Sequence, residues 1–330
     1  MKLILLVLLS ILPSSIRKLV YKLMGYKLSP SSHFGLFSII DIKSSASFAK
    51  GSSIGPFTYI RADELFIGKY SKISPFSFIS VPKVNIGNDV KISNFVIIRS
   101  GHISKYSELF LGDLVHIFPF VMIDTSKKVY IDEESGIGPH CNIFTHSSYK
   151  SILQGYPVVY GDVNIGKRVE LTYNVFVAPG VTIGDDAICA FGSYVNSDIP
   201  EGALAAGLPA KVKRRKDQFV KNIDPIQKLD LLDTIISEYQ DYIQFIDKQP
   251  ALKVTVSNHS KEIKLQNNIT YIILNGRTPI KSGFTYAVFN IEEGKCYNFG
   301  INRRDFNTLR KFLSRYGIRF LTSGLKICEF

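Results

Sequence analysis

The chain has 330 residues, 45% of them apolar, enough for one large or two modest packed domains and too many for a disordered tail. Four cysteines stand far apart at positions 141, 189, 296 and 328 with no CxxC pair, which argues against a disulfide framework and a cysteine zinc site and fits a reduced, cytoplasmic setting. A formal charge of +12, from 40 Lys plus Arg against 28 Asp plus Glu, favours polyanionic partners such as nucleic acid, anionic lipid or a phosphorylated cofactor, without choosing among them.

At the amino terminus an apolar run from Leu3 to Leu12 ends at Pro13. It is too short for a transmembrane helix, which needs about 20 residues. As a signal peptide it lacks a basic lead beyond Lys2 and a small-residue cleavage site, so secretion ranks low. Next, "SIRKLVYKLMGYK" gathers Ile16, Leu19, Val20, Leu23 and Met24 on one helical face and Arg17, Lys18 and Lys22 on the other. Two readings stand open: a helix lying on a membrane surface, or one packed on its own or a neighbouring subunit.

An aliphatic or small apolar residue then recurs every sixth position: Ile67, Ile73, Ile79; Ile86, Ile92, Ile98; Leu111, Ile117, Ile123; Ile131, Ile137, Ile143; and Ile165 through Leu171, Val177, Ile183 and Cys189 to Val195. Glycine follows many of them, as at Gly55, Gly68, Gly87 and Gly184. Positions six apart diverge by roughly 240° on a helix and make no buried stripe. Turns such as Ala178-Pro179-Gly180 would break one long strand. Three short strands per triangular coil of roughly 18 residues remain, stacked on parallel neighbours with the hexad residues in one buried column.

These hexads, with "VAPGVTIGDDAICAFGSYVNSDIPEGALAAGLPAKVKRR" (residues 177–215), resemble the hexapeptide-repeat acyltransferases, most closely the galactoside, maltose and surface-polysaccharide O-acetyltransferase branch. The resemblance covers about residues 25–215 and implies a mainly β fold, a left-handed parallel β-helix, over residues 31–215. Residues 1–30 form the amino-terminal segment, and residues 216–330 a carboxy-terminal helix plus small α+β domain.

The repeat breaks just after His146: 22 positions separate Ile143 from Ile165, against 18 for three regular hexads, so a loop leaves the solenoid there. A rigid scaffold that fixes the base of a loop is a common setting for chemistry. The resemblance gives His146 the role of general base on the acceptor hydroxyl, work that an imidazole can do near neutral pH. What orients its other ring nitrogen is open between a carboxylate and a backbone carbonyl.

The resemblance further puts Thr172 and Tyr173 near the oxyanion and the acceptor, with Glu170 where relatives carry an aromatic residue. It lays acetyl-CoA along Ala190, Phe191 and Asn196, with Lys211 and Arg214 toward the nucleotide phosphates. Ser197 replaces a common lysine. It implies a homotrimer with the donor groove between subunits and a saccharide acceptor. The β-helical carbonic anhydrases hold zinc on histidines, but His140 and His146 are six apart and would point away from each other, and His102 and His116 also lack the spacing, so no metal is expected. His140 and His116 read as surface or interface residues.

Beyond Lys216, Leu229, Leu232, Ile236, Tyr239, Ile243 and Ile246 predict an amphipathic helix closed by Pro250. Short apolar runs follow ("LKVTV", "ITYIIL", "TYAVFNI", "KCYNF"), then a helical "DFNTLRKFLSRYG" stopped at Gly317 and a last strand "IRFLT". "NGRTP" and "INRRD" read as polar turns. The function expected is a cytoplasmic O-acetyltransferase for a sugar of a surface polysaccharide or its lipid-linked precursor, with residues 1–28 as a candidate contact with anionic membrane. The alternatives are N-acetylation of an amino-sugar nucleotide and a non-catalytic β-helix scaffold. Nucleic-acid binding ranks low, since no interleaved aromatic and basic surface motif is present.

Overall fold

The computed structural model describes residues 2–247, 253–257, 260–265, 268–274 and 285–322. Two compact units are present, Met1–Val220 and Lys221–Phe330. In the first, short parallel strands stack into a three-faced β-helix whose regular coil is 18 residues: Ile165 pairs Ile183, Leu171 pairs Cys189 and Val177 pairs Val195. Consecutive hexad residues lie on consecutive faces, so they build three buried columns facing one interior rather than the single column expected. Ile67, Ile86, Leu111 and Ile131 on one face, and Ile73, Ile92, Ile117 and Ile137 on the next, are all buried.

The glycine after a hexad residue has a steric origin. A Cβ on Gly138 would collide with the carbonyl of Thr172 in the next coil, and one on Gly68 with the carbonyl of Gly87. A corner where coils approach this closely has no room for a side chain. On the Gly138 corner, two residues further along each turn, Phe57, Phe76, Phe95 and Phe120 hold positive φ, between 55° and 62°, which is costly for a bulky residue. Their rings stack in an unbroken ladder, with centroids 5.2–5.3 Å apart, and this offsets the strain.

Two helices, α1 (Lys2–Ser10) and α2 (Ser14–Leu23), cap the first coil. Here the division expected for α2 is corrected. Arg17, assigned to the polar outer face, is fully buried, whereas Ile16, Leu19, Leu23 and Met24 are exposed and Val20 is half-buried. The open end of a β-helix presents backbone carbonyls with no next coil to serve them. The Arg17 guanidinium donates to the carbonyl oxygens of Gly35 (2.6 Å) and Ser38 (2.5 Å), and to the hydroxyls of Ser38 and Tyr21. That demand outweighs the apolar periodicity.

In the second unit, α3 (Pro225–Asp247) begins at a reciprocal cap. The Asp224 carboxylate accepts from the Gln227 N–H, and the Gln227 side chain accepts from the Asp224 N–H. Leu232, Ile236, Tyr239 and Ile243 are buried against Phe306, Leu309 and Phe312 of α4 (Arg303–Leu313) and against Ile272 and Phe289 of a six-stranded mixed sheet. Ile246, read as part of that buried face, is exposed. Gly317 holds the left-handed conformation after α4 and a single 3-10 turn, as expected of a stop. "INRRD" is the start of that helix, with Asn302 accepting from the Arg304 N–H. The last strand covers only Leu321–Thr322, and Ser260–Leu265 is a strand not foreseen. Pro250, Leu252, "NGRTP" and Cys328 lie outside the described residues.

Candidate active site

Every lengthening of the coil falls on one corner, between the face of Ile79, Ile98, Ile123 and Ile143 and the face of Ile86, Leu111, Ile131 and Ile165. That step takes 7 residues from Ile79 to Ile86, but 13 from Ile98 to Leu111 and 22 from Ile143 to Ile165. The count of three hexads across the last interval is therefore corrected. Ile143 and Ile165 are adjacent hexad positions, and a single corner carries the whole excursion. Within it, His146–Ser147 pairs antiparallel with Val159–Tyr160, which returns the chain to the corner with Tyr160 opposite His146.

His146 meets a carboxylate at the base of this loop. Its Nδ1 lies 2.8 Å from Oδ1 of Asp124, which is at the same corner one coil earlier. Asp124 is 3% exposed and the His146 side chain 23%. The same Oδ1 accepts from the Thr145 hydroxyl (2.7 Å) and the Ser126 N–H (3.1 Å); Oδ2 accepts from the Gly101 N–H (3.1 Å) and the Ser126 hydroxyl (3.2 Å). Burial alone would raise the Asp124 pKa. The hydrogen bonds from Thr145, His146, Ser126 and Gly101 together outweigh it and hold the carboxyl below its ordinary value. An ionised carboxylate only accepts, so His146 donates from Nδ1, and in the neutral imidazole the lone pair is on Nε2.

A second histidine closes one side. His102, on the 13-residue step, sets its ring edge to face with that of His146, centroids 5.0 Å apart at 85°, and its backbone N–H donates to the Ser126 hydroxyl. Tyr160 stacks near parallel to His146 at 5.8 Å. Gly101 fits here because it has no side chain: a Cβ would stand 3.2 Å from both Asp124 Oδ2 and His146 Cε1. Asp124 and Tyr160 were not singled out from the sequence, and His102 was weighed only as a metal ligand. The long step after Ile98, at the corner that also extrudes the His146 loop, was the available signal.

The other expected residues are not gathered around His146 within one chain. Thr172 and Tyr173 lie on the corner of the aromatic ladder, where the Thr172 N–H is already given to the Cys189 carbonyl, and Tyr173 stacks on Phe191 and packs beside His140. Ala190, next to Phe191, gives its N–H to Ala205. Asn196 is on the His146 corner, two coils further along. Lys211 and Arg214 are exposed on the strand Lys211–Arg215, which pairs antiparallel with Ala203–Ala206 and ends the solenoid. His140 continues the ladder between Phe120 and Tyr173, and His116 contacts Ser93. Among the described residues no cluster of three His, Cys, Asp or Glu side chains could hold a metal ion.

No family model matches the chain. A candidate acetyltransferase of Saccharomyces cerevisiae is 34% identical over 122 residues, 35% of this chain and 62% of the relative. A candidate colanic acid biosynthesis acetyltransferase of Escherichia coli, WcaF, is 33% identical over 126 residues, 37% of this chain and 66% of the relative. Over the stretch they cover, the chain is similar to proteins named as acetyltransferases. It spans less than two thirds of the length of these curated relatives. A solved hexapeptide-repeat acetyltransferase of Vibrio cholerae, in complex with acetyl-CoA, is 24% identical, covering 45% of this chain and 69% of that one with a TM-score of 0.31. Within this hexapeptide-repeat scaffold the His146 corner is where regular stacking gives way to two loops and a buried carboxylate.

Proposed function

We propose that the protein is an acetyl-CoA-dependent O-acetyltransferase acting on a sugar hydroxyl of a surface polysaccharide or its lipid-linked precursor, with His146 as general base. The observation that carries this reading is the His146–Asp124 pair, a tautomer-fixed imidazole at the foot of a loop on a rigid rod. In this reaction His146 Nε2 takes the proton of the acceptor hydroxyl as its oxygen attacks the thioester carbonyl. The imidazolium is held by the Asp124 carboxylate, as a buried carboxylate holds histidine in a hydrolytic triad. When the tetrahedral intermediate collapses, the C–S bond breaks and the proton passes to the departing CoA thiolate, regenerating the base. The acyl chain gains one ester bond and loses one thioester, with no redox change.

The names of the curated relatives support an acetyl group and a saccharide acceptor. On this reading the enzyme is a cytoplasmic homotrimer, peripheral to the inner face of the membrane, with Ala190, Phe191, Asn196, Lys211 and Arg214 along the donor groove. Thr172 and Tyr173 on their separate corner then serve the His146 of a neighbouring copy. The test is thiol release from acetyl-CoA with a panel of sugar acceptors. Wild-type turnover and a fall of about 100-fold or more in His146→Ala are expected for loss of a general base. Equal rates in the two proteins would overturn the assignment.

A further inference from the structure

The burial of Arg17 turns α2 inside out relative to its apolar pattern, and α1 is apolar on more than the face it buries. In α1 it is Leu6, Leu9 and Ser10 that face the first coil, and in α2 it is Arg17 and Tyr21. Leu5, Leu8, Ile11, Ile16, Leu19 and Leu23 stand in solvent, with Leu19 at 62% and Leu23 at 81% exposure. Isolated exposed leucines need no explanation, but six large exposed aliphatic residues between positions 5 and 23 mark a contact surface. The face is held rigid, because the Arg17 hydrogen bonds fix α2 to the carbonyls of Gly35 and Ser38.

Charge decides what fits. Lys22 and Lys27 are exposed on and just after α2, Lys18 is half-buried with its ammonium on the Pro30 carbonyl, and no acidic residue occurs before Asp41. α1 has nine residues, about 13.5 Å at 1.5 Å per residue, less than half a hydrocarbon core. Among the described residues no helix is long and apolar enough to cross a membrane. An apolar face bordered by lysines on helices this short matches a segment that lies in the headgroup boundary rather than through it.

We infer that α1 and α2 form a preorganised, monotopic docking face for an anionic lipid surface, with Leu19 and Leu23 inserting and Lys22 and Lys27 meeting lipid phosphates. This deepens the membrane-peripheral placement proposed above and rests on it. It would bring the end of the β-helix to the surface where lipid-linked acceptors reside.

The experiment is flotation of the full chain with vesicles of phosphatidylcholine, with and without phosphatidylglycerol, without donor or acceptor. Wild type is expected to float with the anionic vesicles, less so as salt rises. Leu19→Glu/Leu23→Glu should lose at least about 100-fold in partitioning, given the buried CH2 groups removed. Lys22→Gln/Lys27→Gln should lose roughly 5-fold per charge. These are exposed positions, so circular dichroism and melting should match wild type, and the lysine variant remains a test if the leucine variant fails to fold. Absence of flotation, or flotation equal in all three proteins, would overturn the inference. So would a fall in molar mass by light scattering in the leucine variant with no vesicle binding by wild type, which would identify a second copy as the occupant. A protein that floats but transfers no acetyl group keeps this inference and loses the enzymatic one; an active protein that does not float does the reverse.

Discussion

Asp124 and His146 are 22 positions apart in sequence and 2.8 Å apart at Oδ1 and Nδ1, because the coil that carries Ile123 pairs directly with the coil that carries Ile143. Asp124→Asn keeps the shape but removes the charge that fixes the tautomer and balances the imidazolium. A loss of about 100-fold or more in kcat, up to the roughly 10⁴-fold scale of the same change in a hydrolytic triad, is expected with little change in KM. The folded-state pKa of Asp124 is depressed, so its contribution to stability is present above the unfolded value near 3.9 and is lost as pH falls through the lower folded value. Urea midpoints of wild type and Asp124→Asn should therefore converge below about pH 4. A constant difference between pH 7 and pH 3 would argue that the carboxylate is not held ionised.

Gly101 is a steric test of the same pair. Alanine there places a methyl 3.2 Å from both Asp124 Oδ2 and His146 Cε1, and the hydrogen bond from the Gly101 N–H to Oδ2 has little slack. Misplacement by a fraction of an ångström is the expected result, and errors near 1 Å can cost about 100-fold in rate. Gly101→Ala should lower kcat by about 10-fold or more while the melting curve stays near that of wild type. Unchanged kcat would show that the corner yields without cost.

The β-helix was legible because one physical fact, burial at every sixth position, is repeated through 18-residue coils, and local exceptions cannot hide it. His146 was legible as the point where that pattern fails. Asp124 was not, because a carboxylate after a hexad isoleucine looks like any surface residue until the coil-to-coil register is known. The same blindness made Arg17 a surface residue: periodicity weighs side-chain hydrophobicity and does not see the buried carbonyls of Gly35 and Ser38 to which its guanidinium donates. The length of the excursion after Ile143 was misjudged since sequence spacing does not say how many faces a gap crosses.

Arg17→Met preserves much of the side chain's length and removes its donors. Its hydrogen bonds to Gly35 and Ser38 would be lost with no water able to replace them at a fully buried site. Hydrogen bonds from a charged donor contribute about 1.5–3 kcal/mol each, so a loss of about 3 kcal/mol in unfolding free energy is expected, shared with fraying of α2. Urea denaturation measures the first, and proteolysis near Met24 the second. A variant as stable and as resistant as wild type would mean that α2 is held by its other contacts alone.

Cys141 and Cys189 sit in the solenoid interior, and burial pushes their thiols up to about 11 and about 12. In the unfolded chain they titrate near 8.5, so above that pH the unfolded state releases protons that the folded state keeps. The unfolded state then binds fewer protons, the slope of stability with pH is negative, and the stabilisation present below about pH 8.5 is lost as pH rises toward the folded values. Urea midpoints measured under reducing conditions from pH 7.5 to 10.5 should fall, and fall less steeply in Cys189→Ala, whatever that variant costs at neutral pH. The native protein at pH 8 should likewise leave both thiols unmodified by an aromatic disulfide reagent and release them on unfolding, since the thiolate is the reactive form. Rapid native modification of Cys189, together with parallel midpoint curves for the two proteins, would show that this part of the interior opens to solvent on the time scale of the reagent.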